Sequence, residues 1–129
     1  KAFEYYKKAL VMAANKKDRN QIYYHAINLA FLSIVVHNDE VAMIDYAQMA
    51  LEAAEKGRGN LWEYSTIAEA HLYLNNMGKA KEYYSKSAEM AGIREKLSIY
   101  TNAYRGYIKL MQTASEDEFT QFLHSKFLQ

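Results

Sequence analysis

Apolar side chains recur along this chain at helical rather than strand spacing. Ala2, Tyr5, Tyr6, Ala9, Leu10 and Ala13 are three and four residues apart, which predicts an amphipathic helix running to about Lys16. After a turn at Lys17 and Asp18, a possible capping box of Asp18 with Gln21 opens a second helix. Its apolar residues Tyr23, Ala26, Ile27, Leu29, Ala30, Phe31 and Ile34 leave almost no polar face, so it must be buried on more than one side. His37, Asn38 and Asp39 interrupt the pattern. Val41, Ala42, Ile44, Tyr46, Met49, Ala50 and Ala53 restart it as far as Gly57-Arg58-Gly59, which reads as a helix end and loop.

Asn60 with Glu63 caps a fourth helix through Trp62, Tyr64, Ile67, Ala68, His71, Leu72 and Leu74, and Asn75-Asn76 ends it. A fifth carries Ala80, Tyr83, Tyr84, Ala88 and Met90 before Gly92. Ile99, Tyr100, Ala103, Tyr104, Tyr107, Ile108 and Met111 mark a sixth. A Ser115–Glu118 box opens a seventh, with Phe119, Phe122, Leu123 and Phe127 on one stripe. The expectation is an all-α chain of about seven helices in antiparallel pairs.

Sliding the chain against itself by 38 residues sets Leu29 on Ile67, Ala30 on Ala68, Ile34 on Leu72, Ala42 on Ala80, Tyr46 on Tyr84 and Ala50 on Ala88. A two-helix period in this range is the mark of a solenoid, in which a repeat buries its apolar face only by stacking on its neighbours. Small residues at the crossings let the backbones approach.

Composition agrees: half the residues are apolar, with 12 Tyr, 5 Gly and no Pro, a balance suited to helices and poor in tight turns. At 129 residues the chain can bury roughly two-thirds of its unfolded surface, so a core is possible within one unit. The formal charge of +1 comes from 16 basic and 15 acidic residues mixed along the chain, which gives no footprint for nucleic acid or an anionic membrane. The absence of Cys excludes disulfides and thiolate chemistry and leads to a cytoplasmic expectation. No apolar run approaches the roughly 18–20 residues of a membrane span. The chain opens at Lys1 inside a helical pattern, from which a fragment of a longer protein is expected.

Residues Ala2-Phe3-Glu4-Tyr5-Tyr6-Lys7-Lys8-Ala9-Leu10 and Ala80-Lys81-Glu82-Tyr83-Tyr84-Ser85-Lys86-Ser87-Ala88 resemble the second helix of tetratricopeptide repeats. Ile67-Ala68-Glu69-Ala70-His71-Leu72-Tyr73-Leu74 resembles the matching first helix, with Leu29-Ala30 at the same place one repeat earlier. The resemblance covers residues 1 to about 91. It implies a right-handed α-α superhelix divided into the second helix of a truncated repeat (1–17), repeats at 18–57 and 59–91, and an atypical repeat or C-terminal cap at 93–129. The order Ile27-Asn28-Leu29-Ala30, Asn38-Asp39 and Trp62 to Ala70 resembles, more narrowly, the repeat region of apoptosis signal-regulating MAP kinase kinase kinases and its bacterial relatives, described as TRAF-binding in the kinases. Three features depart from the family pattern. The period exceeds the usual ~34 residues, no Pro closes a repeat, and in the sixth helix Asn102, Arg105 and Lys109 fall at core positions of the repeat register, as for a rotated pair or an end cap.

In that architecture the first helix of each pair lines a concave face, which puts Tyr24, Ile27, Phe31 and Val35 beside Trp62, Ser65, Glu69, Leu72 and Tyr73. Such a groove suits an amphipathic helix or an extended apolar segment of a protein partner. The competing expectation is that a preceding repeat or the Phe119–Phe127 helix fills it. A cationic clamp for a peptide carboxylate is rejected, because Asn28 matches one amide but Ser65, Thr66 and Glu69 stand where cations are needed.

Catalytic and metal chemistry find no residues. His25, His37, His71 and His124 lie apart, with no His-x-x-x-His or Glu-x-x-His pair, and His71 reads as a core histidine. Asp39-Glu40 and Glu116-Asp117-Glu118 sit at helix starts, where the dipole accounts for them. Gly57 and Gly59 join helices and form no phosphate loop. Recurring Tyr pairs are accounted for by packing. The expectation is a non-catalytic interaction scaffold with no cofactor and a protein or peptide partner, and with no preference among oligomeric states. The alternatives are a peptide-sensing regulator and a structural spacer whose groove is internally filled.

Overall fold

The computed structural model describes residues 1–112 and 116–129, which form seven helices. These are α1 (Ala2–Asn15), α2 (Arg19–Val35), α3 (Glu40–Glu55), α4 (Leu61–Tyr73), α5 (Met77–Met90), α6 (Ile93–Met111) and α7 (Glu118–Phe127). No strand occurs among the described residues, and none of their helices is long and apolar enough to cross a membrane.

Asx side chains start most of these helices. Asp18, Asp39, Asn60, Asn76 and Asp117 each accept a hydrogen bond from a backbone N–H inside the helix they open, worth about 1 kcal/mol apiece. Three turns repeat one device: Lys17, Asn38 and Asn75 take a left-handed backbone (φ 54°, 53° and 62°), and the next residue is the cap. The chain reverses there without glycine, chiefly through Asn, which tolerates this region better than most residues. The Asn60–Glu63 box forms with both of its hydrogen bonds. At Asp18 only the side-chain bond from Gln21 N–H is made. For α7, Ser115 lies outside the described residues, and the cap is Asp117, with Thr120 completing a box.

α2 and α3 form one helical hairpin, α4 and α5 a second, with α3 packed on α4 and α1 on α2. The apolar α2 is buried on several sides because α1, α3, α4 and α6 all pack against it. Ala26, Ala30, Ala47, Ala50, Ala68, Ala70 and Ala80 are fully buried. These small side chains let the helices approach closely while Leu29, Ile34, Met43 and Leu72 fill the space between them.

The two helical hairpins are spaced similarly but not identically along the chain. α2 and α4 end 38 residues apart, at Val35 and Tyr73, whereas α3 and α5 begin 37 apart, at Glu40 and Met77. The α4–α5 turn is one residue shorter, so the buried set Met43, Ala47 and Ala50 corresponds to Ala80, Tyr84 and Ser87. The pairings of Ala42 with Ala80, Tyr46 with Tyr84 and Ala50 with Ala88 are therefore one residue out of packing register. Tyr46 is half-buried beside Phe3, and Tyr84 lies in the core.

The third pair breaks the pattern. α6 packs on α2 and α4, and α7 on α6 and α5. The stripe that α6 buries is Ile99, Ala103, Gly106 and Tyr107, which turns Arg105 and Lys109 to solvent and leaves Asn102 half-buried. Tyr107 donates its hydroxyl proton to the Asp117 carboxylate, tying α6 to the start of α7. Burial and that hydrogen bond push the Tyr107 pKa up to about 12.

Candidate functional site

α6 decides what remains of the groove expected along α2 and α4. Its Arg105 guanidinium lies 5.3 Å from the centre of the Phe31 ring. Its Gly106 sits so close to Tyr73 that a Cβ there would stand 2.8 Å from the Tyr73 hydroxyl. Phe31, Leu72 and Tyr73 are buried, and Val35 lines a separate depression of about 680 Å³ beside Tyr104, Arg105 and Lys109. The continuous apolar groove expected from Tyr24 to Tyr73 is thus not formed. The element that closes it is α6 rather than the Phe119–Phe127 helix, because the small residues Ala103 and Gly106 give α6 a flat face that fits down onto α2 and α4.

What stays open is the other end. A cavity of about 610 Å³ gathers Tyr24 and Ile27 from α2, Trp62, Ser65 and Glu69 from α4, Tyr84 from α5, and Ser98, Ile99 and Asn102 from α6. Five of the nine expected groove residues therefore meet here: Tyr24, Ile27, Trp62, Ser65 and Glu69. Trp62 is 51% exposed and Tyr24 49%, whereas Ile27 is buried. Asn20, Asn28, Asn60 and Asn102 also contribute to the wall, so the cavity is richer in amides than the sequence reading implied. Of these, Asn28 donates to the Tyr24 carbonyl at 2.8 Å and Asn60 caps α4.

Glu69 carries the charge of this cavity. Its carboxylate accepts the Tyr73 hydroxyl proton at 2.5 Å. Desolvation outweighs that hydrogen bond and pushes its pKa up to about 7. The ion pairs of the described residues lie elsewhere: Arg19–Glu63, Lys81–Glu118 and Lys86–Glu82. Beside it Tyr84, 1% exposed, has a hydroxyl with no hydrogen-bond partner. Desolvation and the nearby Glu69 charge raise the Tyr84 pKa well above its ordinary value.

No protein-family model, curated protein or solved structure matches the chain. The likeness to tetratricopeptide repeats therefore rests on the residues quoted for it above.

A pH dependence follows from Glu69. A carboxyl whose pKa is higher in the folded chain than in the unfolded one binds more protons when folded. Folding stability then falls as pH rises from the ordinary 4.5 to about 7. Glu69→Gln is expected to raise the melting temperature at neutral and alkaline pH and to leave it nearly unchanged below the usual carboxylate range. Thermal melts of parent and variant across that window check this, and a variant less stable than the parent at alkaline pH would contradict it.

The histidines do not converge. His71 is buried with its ring stacked on Tyr83, and His25 is buried among Tyr5, Tyr6 and Tyr24. Burial lowers the pKa of both. Among the described residues no three His, Asp or Glu side chains gather in a way that could hold a metal ion.

Proposed function

We propose that the chain is a non-catalytic protein-interaction module of the tetratricopeptide type, a right-handed superhelix of helix pairs whose remaining concave cavity takes a short extended segment of a partner protein. The observation that carries this reading is the pair of half-exposed aromatic side chains, Trp62 and Tyr24, at an amide-lined cavity of about 610 Å³. Aromatic rings supply contact area at small entropy cost, and amides offer both donors and acceptors to a peptide main chain. The volume is within the ~300–1,000 Å³ typical of small-ligand sites. It suits a few residues of chain rather than the long amphipathic helix that an open groove would take.

That size also favours the peptide-sensing alternative, in which the bound segment is a short free peptide. By its narrower resemblance to the kinase repeat region, the module regulates a neighbouring domain in the reducing environment of the cytoplasm.

The test is affinity capture from the native source with the parent chain, Trp62→Glu and Val41→Glu, each first shown to melt like the parent. Val41 is 73% exposed on α3 and lies outside the cavity. Specific proteins retained by the parent and by Val41→Glu but lost by Trp62→Glu are expected. Retention that Val41→Glu loses and Trp62→Glu keeps would place the partner on the other face. No specific retention by the parent would favour a spacer.

A further inference from the structure

Resting on the reading of this cavity as a protein-interaction site, we infer that its floor receives the ammonium group of a lysine side chain from the bound segment. Two side-chain oxygens with unfilled acceptor positions belong to residues that line the cavity together. One is Glu69, whose Oε2 takes the Tyr73 proton while its Oε1 accepts no hydrogen bond among the described residues. The other is the Tyr84 hydroxyl, buried and unpartnered, on the adjoining helix.

The chain's own nearby cations are engaged. Arg19 is held by Glu63 at 2.6 Å and by the Ala53 carbonyl at 2.9 Å, and Arg105 lies over Phe31. An acidic group and an orphaned hydroxyl left together in a desolvated cleft weaken folding, so the arrangement is explained better by what it binds than by what it stabilises.

The geometry favours ammonium over guanidinium. A guanidinium pairs best with a carboxylate offering both oxygens, and one Glu69 oxygen is already occupied by Tyr73. A point charge with three rotatable donors needs only the free oxygen and the Tyr84 hydroxyl. The approach is lined for an alkyl stem: Ile27 and Ile99 on the walls, and the Trp62 and Tyr24 rings nearer solvent. Lysine methylenes pack readily along such apolar surfaces, and here the Glu69 carboxylate is the counter-charge for the head group.

Trp62 is the chain's single tryptophan, so its fluorescence reports occupancy directly. The probes are acetyl-Ala-Ala-Lys-Ala-Ala-amide, the same peptide with norleucine or arginine in place of lysine, and n-butylammonium as the free-amine control. The lysine peptide is expected to bind roughly tenfold or more tightly than the norleucine peptide, as for a hydrogen bond to a charged group. It is also expected to bind more tightly than the arginine peptide and the free amine. Glu69→Gln should bring the lysine peptide to the level of norleucine without loss of thermal stability. Tyr84→Phe, which keeps the ring, should weaken lysine binding by a smaller factor.

Equal binding of lysine and norleucine peptides by the parent would overturn the inference while leaving the interaction reading intact, since that reading stands or falls on the Trp62→Glu capture. A lysine preference that survives Glu69→Gln, no response to the lysine peptide, or tighter binding of n-butylammonium or the arginine peptide would each overturn it as well.

Discussion

Glu63→Ala is expected to destabilise the chain more than any other single change at a polar side chain, by about 3 kcal/mol, or roughly 10 °C in melting temperature for a domain of this size. Glu63 is 2% exposed. Its carboxylate accepts from the Gly59 and Asn60 N–H groups, both at 2.9 Å, and from the Arg19 guanidinium at 2.6 Å. Removal leaves two backbone donors and a cation without their acceptor. Arg19 is about a third exposed and can regain some hydration, which holds the expected cost at the lower end for a broken buried pair. Gly57 belongs to the same arrangement, because a Cβ there would overlap the Glu63 carboxylate at 1.8 Å.

This network has a pH signature opposite to that of Glu69. Burial alone would raise the Glu63 pKa, but the Asn60, Arg19 and Gly59 donors outweigh it and hold the carboxyl below its ordinary 4.5. A group whose folded pKa is depressed contributes stability that is fully present above the unfolded value and is lost as pH falls through the folded one. The melting gap between parent and Glu63→Ala should therefore be widest at neutral pH and narrow under acid conditions. A gap that does not change with pH, or no gap at all, would show that the network contributes little.

The second large effect is expected at Gly106. In an exposed helix, glycine to alanine stabilises by up to about 1 kcal/mol through helix propensity. Here the sign reverses, because the new Cβ would lie 2.8 Å from the Tyr73 hydroxyl and 3.0 Å from its Cε1. Tyr73 is buried and hydrogen-bonded to Glu69, so its ring has little room to move aside. Gly106→Ala should destabilise modestly. Gly106→Val should cost about 3 kcal/mol, as overpacking and β-branching both act against α6. Melts of the two variants decide it, and a stabilised Gly106→Ala would mean that α6 does not rest on α4 as described.

The helices were legible because their apolar spacing is local, and so was the Asn60–Glu63 box, which carries its meaning within a few positions. The start of α7 was less so: Ser115–Glu118 offered a box there, whereas the cap is Asp117 with Thr120. The placement of α6 was legible only as a misfit: Asn102, Arg105 and Lys109 sat wrongly for a third repeat, which signalled rotation but not its destination.

Where α6 lands depends on the flatness of Ala103 and Gly106 against α2 and α4, a property of three distant segments at once. The same distance hid the partnership of Arg19 with Glu63, 44 residues apart, since Glu63 read simply as the end of a capping box. Tyr84 was assigned to packing from its helical spacing, and it does lie in the core. Its unpartnered hydroxyl beside Glu69 emerges only when α4, α5 and α6 are brought together.

Hydrogen exchange of the chain with and without a captured partner tests the central claim most directly. The proposed site predicts that the partner slows exchange in the segments of α2, α4 and α6 that surround the cavity, around Tyr24 to Asn28, Ser65 to Glu69 and Ser98 to Asn102. Protection confined to α1 and the exposed face of α3, with those segments unchanged, would contradict it.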